Sequence, residues 1–156
     1  MGLFIGLSAA GAHIHIPGVL GTPALDSLAG YLGAMAFGPA FGAPVAAIRH
    51  LLTAALAGFP LTLPVHLAIA GLMAISAAST GWLWRRAGRI VAVVWGIFFN
   101  GVVEPALFIP IPGFGLAFFV SGAVQLLIAS AVNVLLAATL CGALDRRGVL
   151  ARWLQA

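Results

Sequence analysis

Residues 114–144 read FGLAFFVSGAVQLLIASAVNVLLAATLCGAL, without one charged side chain, and Asp145-Arg146-Arg147 follows at once. A helix needs only about 20 apolar residues to cross a bilayer core. This stretch is therefore expected to span a membrane, with its first turns outside the core. The arginines after it mark the water boundary.

The rest of the chain repeats that pattern. Its 156 residues are 63% hydrophobic and 6% charged, with a mean hydropathy of +1.17. Soluble domains carry about 25% charged residues, so no soluble surface can be assembled here. The seven basic residues are all arginine, and six of them fall in two clusters, Arg85/Arg86/Arg89 and Arg146/Arg147/Arg152. Such clusters orient membrane proteins, so the net charge of +4 does not argue for nucleic acid. The sequence predicts an all-α, polytopic membrane protein of one domain, residues 1–156. Six transmembrane helices are expected at about 1–16, 25–37, 43–57, 64–84, 90–108 and 114–144. A cytoplasmic tail, 145–156, is expected to include a short amphipathic surface helix. The first stretch lacks the basic residues that open a signal peptide and reads as a retained helix.

Gly38-Pro39 separates the second and third spans, and Gly58-Phe59-Pro60 ends the third. Both spans are short, and as one broken helix they would lower the count to five. Six spans put both termini in the cytoplasm; five would put the N-terminus outside. The prolines at 110 and 112 predict an extended run over 109–113. With six spans the outer loops are 17–24, 58–63 and 109–113. All contain proline and suit a cover over a site open to the outside.

Charge inside a bilayer is costly and marks functional sites. Arg49 lies mid-way along span three, and Glu104 lies deep in span five. They are expected to pair within the bundle or to share a bound ligand; a purely structural pair is the alternative. Asp26 opens span two, where it either supports the helix start or holds a polar substrate. Asn100, Asn133 and Gln125 need partners in lipid and are candidates for one polar cavity. Four histidines, His13, His15, His50 and His66, sit on three spans. Imidazole metal sites need three or four ligands, so convergence of all four remains a metal-binding alternative; hydrogen bonding within the bundle or to an organic ligand is the reading taken. Cys141 is alone, which excludes an internal disulfide. Trp82, Trp84 and Trp153 flank arginines and suit an interfacial belt. Gly2, Gly6 and Ala10 share one face of span one, a small-xxx-small pattern that permits close helix contact. No nucleophile elbow, phosphate loop or HExxH motif occurs, so the reading is not an enzyme.

Several short runs together resemble the substrate-binding S components of energy-coupling-factor (ECF) transporters. They are Leu7-Ser8-Ala9, Ile14-His15-Ile16-Pro17, Ala24-Leu25-Asp26-Ser27, Gly38-Pro39, Arg49-His50-Leu51-Leu52-Thr53-Ala54, Gly58-Phe59-Pro60-Leu61 and Pro64-Val65-His66-Leu67. The resemblance covers nearly the whole chain and points to the group linked to uptake of α-ribazole, a cobamide precursor. It implies a cytoplasmic-membrane protein that captures a vitamin-like molecule from outside. It also implies docking on a transmembrane T component driven by two cytoplasmic ATPases. Gly2, Gly6 and Ala10 would form the docking face, and Asp26, His50, Phe59, His66, Asn100 and Glu104 would line the substrate site. No cofactor or resident metal is implied. Arg49 departs from the family, which has a small or acidic residue before the span-three histidine. His13 does not follow the initiator Met, so the nickel/cobalt site of related components is not carried over. A metal-ion component, a solitary transporter and a structural membrane protein are the rival readings.

Overall fold

The computed structural model describes residue 6 and residues 27–155, with side chains described to residue 152. Regular structure among the described residues is helical throughout. Beyond Gly6, which is helical and exposed, the elements are α1 (Leu28–Phe37), α2 (Pro39–Leu56), α3 (Leu63–Arg86), α4 (Arg89–Ala106), α5 (Gly115–Arg146) and α6 (Val149–Gln155). Four of them, α2 to α5, are long and apolar enough to cross a membrane; α1 is apolar but shorter. Helices suit that setting because they satisfy every backbone group within one segment.

Gly38 decides how the chain enters the bundle. Its φ of 108° favours glycine, and its N–H donates back to the Ala34 carbonyl at 3.0 Å. Pro39 then opens α2, where its missing N–H and fixed φ suit a first helical turn. The chain doubles back. A Cβ on Gly30 would sit 2.9 Å from the Ala46 Cβ, one on Gly33 would sit 3.0 Å from the Phe41 ring, and one on Gly42 would collide with Ala34. Rising numbers on α1 meet falling numbers on α2, so the pair is an antiparallel hairpin of two helices, not one broken helix.

A third helix closes on the same point. A Cβ on Gly81 of α3 would lie 2.5 Å from the Ala34 carbonyl oxygen. Lipid offers no hydrophobic drive between helices, so close contact of small residues does the packing. Tyr31, Met35, Met73, Val134, Ala137 and Cys141 extend this core. The Asn133 side chain of α5 accepts from the Leu28 N–H at 2.8 Å. It thereby satisfies one of the donors that a helix start leaves orphaned.

Both arginine clusters reach one end of the bundle. Arg85 donates to the Ala36 carbonyl at 3.5 Å, beside the Gly38 turn. Arg89 pairs with Asp145 at 3.5 Å. Leu150 of α6 is buried against the core.

Three local expectations need correction. The helix expected at 43–57 begins at Pro39, because proline is tolerated in a first turn; Pro44 then lies inside the helix. The run over 109–113 is turned, not extended. Ile111 N–H donates to Phe108 and Phe114 N–H to Ile111, at 3.0 and 3.1 Å. In the second turn Pro112 precedes Gly113, whose φ of 91° suits the third position of a type II turn. The last long helix reaches Arg146 rather than ending at residue 144.

Candidate functional site

Away from the arginine end, the helices part around a cavity of about 330 Å³. Helices α2 to α5 contribute from the halves remote from the arginines. Ser27 precedes α1, Arg49 and His50 come from α2, His66 from α3, Asn100 and Glu104 from α4, and Gln125 and Ser130 from α5. Six residues singled out from the sequence, Arg49, His50, His66, Asn100, Glu104 and Gln125, therefore meet at one cavity.

Local backbone chemistry sets the α4 contribution. Pro105 has no N–H to give the carbonyl four residues back. The turn just before it, Phe99–Val103, widens into a π-helix, with the Glu104 N–H donating to Phe99. Single π-turns of this kind recur at functional sites. Asn100 lies in the turn and Glu104 directly follows it. Gly101 lets α4 approach α5 closely, since a Cβ there would lie 2.8 Å from the Leu127 backbone.

The histidines form an ordered pair. The Leu61 N–H donates to His66 Nε2 at 3.3 Å, so that nitrogen is an acceptor. His66 Nδ1 then carries the hydrogen and donates to His50 Nε2 at 3.2 Å. The Phe59 ring packs on His66, with centroids 5.8 Å apart. Phe59 is not a lining residue itself. It supports His66 from the loop after α2, where Gly58, Phe59 and Thr62 all have positive φ.

Arg49 is 2% exposed and Glu104 6%. They do not form a contact ion pair with each other; the one ion pair between two described side chains is Arg89–Asp145. Glu104 Oε1 accepts no hydrogen bond among the described residues. The apolar wall was less visible in advance. Phe108 and Phe114 have ring centroids 5.4 Å apart, and Phe114 and Phe118 meet edge to face at 4.8 Å. The four-residue spacing of Phe114 and Phe118 at the start of α5, which places both on one face, was the available signal.

Asn133 does not line the cavity; it holds the start of α1. Asp26, His13, His15, Gly2 and Ala10 lie outside the described residues. Among those described, no group of three or more His, Cys, Asp or Glu side chains could hold a metal ion. No protein-family model, curated protein or solved structure matches this chain.

Proposed function

We propose that the protein is the substrate-binding S component of an ECF-type importer, capturing a small vitamin-like molecule from outside for uptake by partner subunits. The carrying observation is the cavity. It combines buried Arg49, Asn100 and Glu104 with the Phe108/Phe114/Phe118 wall, and its volume falls in the range of small-molecule sites. α-Ribazole or a related cobamide precursor is the first cargo to test. Its flat ring suits the aromatic wall, and its ribose hydroxyls suit Asn100 and the open oxygen of Glu104. The partners are a transmembrane T component and two cytoplasmic ATPases. Gly2, Gly6 and Ala10 would carry the docking face, and of these only Gly6 is described, as an exposed helical position.

The test is thermal melting of the detergent-purified chain with α-ribazole, dimethylbenzimidazole, other B vitamins, Co²⁺ and Ni²⁺. A ligand that binds only the folded state adds about 2.7 kcal/mol of stability at a hundred times its dissociation constant. A shift with α-ribazole supports the reading. A shift with metal ions alone overturns the organic cargo.

A further inference from the structure

We propose a second site, at the arginine end, that holds one anionic phospholipid in the groove between α4 and α5. It is independent of the cargo and remote from the cavity described above. The groove encloses about 430 Å³ and is lined by Trp84, Arg89 and Arg146 at its basic end. Ile90, Val94 and Leu135 continue it along the two helices. A phospholipid has the same division, a charged head on apolar chains.

Three observations build the head-group end. The Arg89 guanidinium lies over the Trp84 ring, 5.3 Å from its centroid. It also crosses α5 at Gly142, where a Cβ would stand 3.4 Å from Arg89 Nη1; a larger side chain there would push the guanidinium off the groove. Arg146 lies one turn further along α5, so two guanidinium forks face one mouth. Such forks match phosphate oxygens in pairs.

Asp145 is the opposing charge and must be weighed. Its pair with Arg89 is long, 3.5 Å, and both side chains are more than half exposed, 57% and 61%. Exposed pairs of that kind contribute little, so the guanidinium can turn to a phosphate at small cost. Arg85, Arg86 and Arg147 lie in the same clusters, leaving this end strongly positive. Basic pockets between spans on the cytoplasmic side are where anionic head groups bind.

The experiment uses the full chain in phosphatidylcholine nanodiscs doped with brominated phosphatidylglycerol or, separately, brominated phosphatidylcholine. Bromine quenches nearby tryptophan, and Trp84→Phe isolates the Trp84 signal. We expect the glycerol lipid to saturate Trp84 quenching at a mole fraction at least fivefold lower than the choline lipid. Arg89→Gln with Arg146→Gln should abolish that preference, while Arg147→Gln, outside the groove, should keep it. Should the double variant fail to fold, raising salt on the unmodified chain should collapse the preference. Equal quenching by the two lipids overturns the site. So does a preference that survives the double substitution or the loss of Trp84. Competition by inorganic phosphate as strong as that by the lipid would reassign it to a free anion.

Discussion

The two ends of this bundle use the same helices in opposite ways. At the arginine end, Gly42 and Gly81 bring α2 and α3 onto Ala34 of α1 until backbones nearly touch, while the charged side chains stay outside. Toward the other end the same α2 and α3, with α4 and α5, carry Arg49, His66, Asn100 and Glu104 inward and enclose a cavity. Side-chain size explains the contrast. Glycine facing alanine lets helices meet, whereas polar side chains with aromatic neighbours hold them apart. Tight packing at one end anchors the helices that must stay splayed at the other.

That division can be broken most severely at its tight end. Gly81→Leu forces a side chain against the Ala34 carbonyl and should cost about 3 kcal/mol, the upper part of the overpacking range. Thermal melting in detergent checks it, and a variant that melts with the parent would mean α1 and α3 are not in contact there. Asn133→Ala comes next. It strands the Leu28 N–H and should cost about 2 kcal/mol, yet leave affinity for a cavity ligand within about twofold, close to the scatter of independent sites. A large loss of affinity would tie α1 placement directly to the cavity.

Glu104→Gln probes the open end. It keeps shape and exchanges a carboxyl oxygen for an amide NH2, so melting should change little while affinity for a cavity ligand falls about tenfold, or about 1.4 kcal/mol. Poor folding with unchanged affinity would instead make Glu104 structural. His66→Phe is the mildest. It removes the bond from the Leu61 N–H and the link to His50, at a cost of about 1 kcal/mol. Faster proteolysis or hydrogen exchange confined to residues 57–62 is the expected sign; unaltered exchange would show that the loop holds itself.

Much of the architecture was legible because long-range physics was simple. Apolar runs gave the helices. Gly38-Pro39 and Gly58-Phe59-Pro60 gave two breaks, and the arginines gave the shared end. Boundaries moved where proline allowed either state, as at Pro39 and Pro44. The turns over 109–113 escape a reading by proline alone. A proline restricts the residue before it and leaves the residue after it open, and Gly113 supplies the extra freedom. Within the site, burying charge is costly enough that Arg49 and Glu104 stood out from sequence alone. Which amides joined them did not. Asn100, Asn133 and Gln125 look alike along a helix, and only the packing sends one of them to cap α1 and two to the cavity.

The π-turn at Phe99–Val103 has a consequence for heredity as well as shape. It amounts to an α-helix holding one surplus residue, and each residue in such a helix advances the phase by about 100°. Deleting Val102 would leave a helix as apolar as before, with every side chain kept after the gap. Glu104 would then keep its phase relative to the first half of α4, because the widened turn is what absorbs the surplus residue. The same deletion in the regular part of α4, at Val93, would swing Glu104 by about 100° against the helix before it, so where a codon is lost decides whether that side chain still faces inward.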